Sequence, residues 1–449
     1  MYDLKPATVN ACKLCTPLGA SLAFHGLENT VCLLHGSQGC STYIRRYLIS
    51  HFKEPLDIAS SNFTEESAVY GGASNLKKAI LNLKKQYNPQ MIGIATTCLA
   101  ETIGDDVKMF IRELKASPEG KDLPLLVPVS TPSYTGTHMD GFHAVVKGIC
   151  ENLLVPGEAL DQINLFSGMI SPADIRYLKE ILEDFGWEGI VVPDYSETLD
   201  GGLWDSYKPI PQGGTPLSRL ATLGRSRATL ELGQVLARQE SAGHLLEDHH
   251  KVPLKSLGMP VGIRSTDVFL DTLAEITGRP IPSKHLQERA RLADSYADGH
   301  KYIFEKRVLV YGEEDFVLAL SLFLREVGAI PVLIASGGNS GQLGKLVKEL
   351  IPDCDDLGIQ VKSGADFEDL ETLALNLNLD LVIGHSKGYK LTSQLKLPHM
   401  RVGFPIHDRF GGQRILHLGY RGTQQLFDLM VNALLERAQA SNPVGYTYL

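Results

Sequence analysis

Seven cysteines are spread over 449 residues, and five of them, Cys12, Cys15, Cys32, Cys40 and Cys98, fall in the first third of the chain. Three sit in Gly- or Thr-bearing turns beside apolar runs: Cys15 in CKLCTPLGA, Cys40 in HGSQGC and Cys98 in IATTCLAETIGDD. A thiolate on a short rigid turn, with free backbone N–H groups nearby, is what an iron–sulfur cluster needs from a protein. A helix beginning at the cysteine also favours thiolate over thiol. Cysteine is a common core residue as well, but the polar turns around Cys40 and Cys98 argue against simple core filling. Cys15, Cys40 and Cys98, with Ser133 of TPSYTGTH, are therefore expected to hold part of an iron–sulfur cluster.

The other cysteines read differently. Cys32 in TVCLLHG and Cys150 in a helix-like stretch read as core, and Cys354 in the acidic loop IPDCDD reads as incidental. Cys12 and Cys15 form a CxxC pair, but no second CxxC exists to complete a zinc site, which would have to borrow distant histidines. Cys12 is left without an assigned role. His35 and His51 flank the Cys40 segment, and a lone histidine is more often a hydrogen-bonded structural group than a ligand. Arg45 and Arg46 either offset the charge of a cluster or pair at the surface. Glu101, Asp105 and Asp106 read as a carboxylate-rich first helical turn or as an acidic patch facing a partner. His249 and His250 read as a solvent-exposed pair in a polar loop.

Several chemistries are absent. GGNSGQLGK, Gly337 to Lys345, misses the phosphate-loop pattern by one residue of spacing, and Leu346 stands where Ser or Thr is required. It reads as a strand-to-helix connection, so if ATP is used, another chain binds it. Neither a G-x-S-x-G elbow nor an H-E-x-x-H metal site occurs. A net charge of −9 gives no footprint for nucleic acid. No apolar run reaches the length of a membrane span, and the N-terminus has no apolar signal core. The expected location is the cytoplasm, where clustered cysteines serve metals or redox chemistry rather than disulfides.

The elements that must position these residues alternate. Short apolar runs such as VCLLHG, MIGIATTC, LPLLVPVS and RVLVYG are separated by amphipathic stretches such as ASNLKKAILNLKKQY and SPADIRYLKEILEDFG. This pattern predicts α/β units around parallel sheets. Cys98 and Ser133 both follow such runs, so neighbouring parallel strands would present them on one rim, the edge where open α/β sheets bind ligands. Three units are expected: residues 1–155, holding the cluster ligands; 156–303, including a long loop rich in Gly and Pro; and 304–449, ending in a helix. The tail SNPVGYTYL is expected to pack on a partner or to fray.

The segments CKLCTPLGASLAF, HGSQGCSTYIRRYLISHFKEPLDIASS, FTEESAVYGGASNL and IATTCLAETIGDD closely resemble the β-type chains of nitrogenase component 1. TPSYTGTH and MPVGIRSTDVFLDTLAEITGRPIP extend the resemblance over most of the chain. That family includes the dinitrogenase β chain, the N-type scaffold chain for iron–molybdenum cofactor biosynthesis, and nitrogenase-like reductases such as methylthio-alkane reductase. The resemblance implies three Rossmann-like domains and an α-type partner in an α2β2 heterotetramer. It also implies a P-type [8Fe-8S] cluster, or a [4Fe-4S] cluster, shared with that partner. Cys15, Cys40 and Cys98 match the β-side cysteine ligands, Ser133 matches a serine that ligates one iron of the oxidised cluster in some members, and Phe63 to Gly72 matches a segment close to the partner. Substrate reduction is implied to occur on the α-type chain, with electrons delivered by an ATP-dependent [4Fe-4S] reductase homodimer. The short N-terminus and the CKLC motif resemble scaffold chains of anaerobes, whereas the complete ligand set resembles an electron-relay subunit. A metal-free binding protein with the same fold is a third reading.

Overall fold

The computed structural model of the chain describes residues 10–442, so most of the expected C-terminal tail lies outside the described residues. The strands form three sheets, and every strand pairing is parallel. The first has the order β2-β1-β3-β4, with β1 Thr30–His35, β2 Ala59–Ser60, β3 Met91–Thr96 and β4 Leu125–Val129. The second has the order β6-β5-β7-β8, built from β5 Leu160–Phe166, β6 Glu188–Val191, β7 Ser226–Leu232 and β8 Leu254–Leu257. The third is β11-β10-β9-β12-β13, from β9 Arg307–Gly312, β10 Ile330–Ser336, β11 Gln360–Lys362, β12 Leu381–Gly384 and β13 His399–Arg401. Helices flank each sheet, as the Rossmann-like α/β reading expects.

The first unit shows why these residues make this layer. Its helices include α1 (Thr16–His25), α2 (Gln38–Phe52), α3 (Glu65–Tyr70), α4 (Ala73–Tyr87) and α5 (Cys98–Ile103). Strands β1 and β3 are buried along their whole length, the mark of a parallel strand covered on both faces. The period of two divides β1: Cys32 and Leu34 join the core formed with α1, while Val31 and Leu33 pack with Leu76, Ile80 and Leu83 of α4. α4 is amphipathic, with Lys78 and Lys85 on its exposed side, and it ends where Asn88 turns left-handed at φ 45°.

The units are tied together at their carboxyl edges. Residues from all three line a central cavity, among them His51, Asp174, Tyr311, Phe404 and His417. The N-terminal segment crosses to the third unit, where Ala11 bridges Asp366 and Cys12 N–H donates to the Ala365 carbonyl at 3.1 Å. The C-terminal helix Gly419–Ser441 returns to pack on helix Ser283–Ile303. Among the described residues no helix is long and apolar enough to cross a membrane. GGNSGQLGK is the expected connection, running from β10 to helix Leu343–Leu350. Two expectations need correction. His249 and His250 are exposed, but they end helix Ala242–His250 rather than lying in a loop. Cys354 is buried in the core, because the turn that carries it folds back onto helix 343–350.

Candidate metal centre

In the first sheet the crossovers diverge between β1 and β3: β2 lies beyond β1, and β4 lies beyond β3. Outside the carboxyl ends at such a switch, open α/β sheets form a crevice. Cys40 follows β1 as the third residue of α2, and Cys98 follows β3 as the first residue of α5. Gly36 lets the two turns meet, since a Cβ there would stand 2.0 Å from Thr97 Oγ1. Thr97 N–H and Oγ1 both donate to the His35 carbonyl at 3.1 Å.

Cys15 arrives from the opposite side, directly before the wholly buried α1. This helix crosses helix His138–Asn152 with no room for side chains. A Cβ on Gly19 would lie 1.6 Å from the His138 carbonyl oxygen, and one on Gly141 would lie 1.9 Å from that of Thr16. The close crossing presses the Cys15 turn against the loop 130–137, which carries Ser133. Ser133 N–H donates to Cys98 Sγ at 3.2 Å, and Ser133 Oγ accepts from Thr16 N–H at 3.1 Å. Thr16 Oγ1 donates to the Pro132 carbonyl at 3.3 Å, and Lys13 Nζ to that of Gly136 at 3.2 Å. Ser133 is thus bonded to both cysteine turns.

Cys15, Cys40 and Cys98 are half-buried free thiols, and Cys40 and Cys98 both lie close enough to Cys15 to act on its charge. Burial pushes the Cys15 thiol up to about 11; the Leu18 N–H opposes this, while Cys40 and Cys98 reinforce it. A large apolar side chain stands exposed beside each turn: Tyr43 after Cys40, Leu99 after Cys98 and Tyr134 after Ser133. Val69 and Tyr70 of α3, 73% and 85% exposed, extend this collar next to α5. Contiguous exposed apolar surface of this kind marks an interaction site.

Among the described residues no three His, Cys, Asp or Glu side chains converge where one ion could sit. A cluster of several irons, wide enough to reach sulfurs spaced along a rim, does fit: the ligands are soft thiols, one sulfur already receives a backbone N–H, and three helix starts offset negative charge.

Other side chains near the site resolve into structural roles. His35 Nε2 meets Asp105 Oδ2 at 2.9 Å and its Nδ1 meets Ser61 Oγ at 3.1 Å. His51 Nδ1 accepts from Ile406 N–H at 2.9 Å. Arg45 donates to the Leu56 carbonyl at 2.7 Å, the surface pairing rather than a contact with a thiolate. The acidic trio is not one patch. Asp106 caps the next helix through Met109 N–H. Asp105 is buried against His35 and accepts Gly72 N–H at 3.0 Å, which pins the end of the segment 63–72 beside α5. Glu101 accepts hydroxyl hydrogen bonds from Thr96 and Ser130. Ser130 lies 29 residues from Glu101 and His35 lies 70 residues from Asp105, ranges that no local spacing signals.

A family model described as nitrogenase component 1 type oxidoreductase matches residues 15–435. The nitrogenase molybdenum-iron protein beta chain of Clostridium pasteurianum is 37% identical over 443 residues, covering 98% of this chain and 96% of that one. The nitrogenase iron-molybdenum cofactor biosynthesis protein NifN of Bradyrhizobium diazoefficiens is 34% identical over 439 residues, covering 96% of this chain and 90% of that one. A solved chain of nitrogenase Cp1 at pH 6.5 superposes with a TM-score of 0.96 at 35% identity, covering 100% of this chain and 98% of the other.

Proposed function

The chain belongs to the nitrogenase component 1 type oxidoreductases as a β-type chain, and on that premise we propose that it is the electron-relay subunit of a component 1 complex. In this reading Cys15, Cys40 and Cys98 hold one side of a P-type [8Fe-8S] cluster as thiolates, with Ser133 beside Cys98. The observation that carries it is the convergence of three half-buried thiols: Cys40 and Cys98 both act on Cys15, Ser133 bonds to the turns of Cys15 and Cys98, and exposed apolar side chains stand beside them, with the remaining ligands left for another chain to supply. That chain is an α-type partner in an α2β2 assembly. The complex takes electrons from an ATP-dependent [4Fe-4S] reductase homodimer and passes them to an active-site cofactor on the α-type chain, for example for C–S or N2 reduction. Bound there, the cluster supplies one-electron redox chemistry. The protein's own residues set the rest. The starts of α1, α2 and α5 offset charge, Ser133 N–H bonds a ligand sulfur, and the apolar collar excludes water once covered. The units are taken as 1–155, 156–303 and 304–449.

The second reading is an N-type scaffold for iron–molybdenum cofactor biosynthesis, favoured by the 34% identity to the Bradyrhizobium protein. One experiment separates the two. The chain is purified anaerobically with its α-type partner, iron is counted, and EPR spectra are taken at poised potentials. At least eight irons per αβ pair beyond those of the α-chain cofactor, with an EPR signal appearing on oxidation, supports the relay. A single [4Fe-4S] signal per pair supports the scaffold.

A further inference from the structure

Glu101 lies one turn after Cys98 on α5, and its Oε1 accepts from two hydroxyls at once. One belongs to Thr96, the last residue of β3; the other is Ser130 Oγ at 2.6 Å, just past the end of β4. The Thr96 hydroxyl also accepts Thr131 N–H at 2.9 Å, and Thr131 Oγ1 donates to the Thr96 carbonyl at 2.6 Å. These bonds close a clasp across the carboxyl ends of two neighbouring parallel strands. The carboxylate is satisfied by hydroxyls rather than by a lysine or arginine, so it is built for geometry and not for charge pairing.

The clasp has one outlet. Three residues beyond Ser130, Ser133 N–H donates to Cys98 Sγ at 3.2 Å. We propose that Glu101 is a positioning residue that holds the 130–133 turn so that this N–H stays on the Cys98 sulfur. This rests on the reading of Cys98 as a cluster ligand. A backbone N–H on a ligating sulfur withdraws electron density and stabilises the reduced state of the iron it binds, so hydrogen bonds to sulfur set potential. Ser133 is also tied to Thr16 N–H, but that bond uses Oγ and leaves the N–H free to swing. Thr131 and the Pro132 carbonyl hold the middle of the turn, and Ser130, fixed through Glu101, anchors its start and so helps set where the N–H points.

The test compares Glu101→Ala with Glu101→Gln in the complex purified with the α-type partner. The Gln amide oxygen still accepts both hydroxyls, so Glu101→Gln keeps the wild-type midpoint potential in redox-poised EPR. Glu101→Ala shifts that potential to more negative values, or loses iron where the Gln variant retains it. A second measurement needs no metal. In complex prepared under iron starvation, amide hydrogen exchange over residues 131–134 is about tenfold faster in Glu101→Ala than in wild type or Glu101→Gln, as for a locally released turn. Wild-type potential and wild-type exchange in Glu101→Ala overturn the proposal. So does a Gln variant as perturbed as the Ala variant, which assigns the effect to charge. If wild-type complex binds no iron, the cluster reading fails, and the exchange measurement still decides whether the clasp exists.

Discussion

The first and third units carry the same kind of crevice and treat it in opposite ways. In the first, between β1 and β3, the turns at the strand ends carry Cys40 and Cys98, Cys15 comes close to both, and all three stay half-buried. In the third, between β9 and β12, the chain fills the crevice. Gly384 and Gly388 admit the Tyr311 ring, which a Cβ at either position would meet at 2.6 or 2.1 Å. Cys12 then plugs the remainder, fully buried, with Sγ 3.8 Å from His385 Nε2 and burial pushing its thiol up to about 12. Cys12 and Cys15 are three residues apart in one CxxC, yet each belongs to a different crevice. A shared motif therefore says little about shared chemistry; what else occupies the pocket decides. The pair also cannot act as one redox couple, since its two thiols face different units.

The sharpest way to break this contrast is Cys98→Ala. The open crevice should lose its cluster and electron transfer, while the chain stays folded because Cys98 is not part of the core. Iron counting and circular dichroism on the complex check this, and full iron with full turnover would sink the ligand assignment. Asp105→Ala comes next. It removes the acceptor of His35 and Gly72, a buried charged hydrogen-bond centre, and should cost about 3 kcal/mol in urea unfolding, whereas Asp105→Asn keeps one acceptor and should cost clearly less. Cys12→Ala acts on the closed crevice. It should keep wild-type iron and lose about 1–2 kcal/mol as a small core deletion. Loss of iron there would mean that the two crevices are not separate.

The contrast also marks what a sequence discloses. The apolar runs of β1 and β3 and the lysine-faced α4 were legible, because burial on both faces and helical amphipathicity leave periodic patterns. Cys40, Cys98 and Ser133 were legible as turn residues after strands, and β3 and β4 do pair in parallel, with Ala95 opposite Val129. The closed crevice was not legible. Cys12 looks like half of a motif until the N-terminal segment is seen crossing to Ala365, where Gly337 makes room: a Cβ on it would lie 2.3 Å from the Cys12 carbonyl oxygen. Glu101 and Asp105 share the same acidic stretch and hide their roles for the same reason. Their partners Ser130 and His35 come from other strands, and tertiary contacts of that range leave no local signature. Cys354 read as a loop residue because composition reports polarity and not which side of a turn faces inward.

The smallest effect is the most diagnostic of how the crevices are joined. α2 begins at the open crevice with Cys40 and ends at the closed side, where His51 accepts Ile406 N–H and packs on Phe404 with ring centroids 4.8 Å apart. Burial holds the His51 imidazole down to about 3, whereas in the unfolded chain it titrates near 6.5. Above about pH 6.5 both states are neutral there, and its contribution to stability is intact. As pH falls through the window toward 3, the unfolded chain takes up a proton that the folded chain refuses, and stability declines by at most about 1.4 kcal/mol per pH unit from this residue. His51→Asn retains an acceptor for Ile406 N–H but cannot titrate. Urea unfolding at pH 7, 6 and 5 should therefore give the variant a lower starting stability, from lost ring packing, and a shallower decline by about one proton. Parallel declines would show that His51 already charges within the fold, and that the end of α2 is not sealed against the third unit.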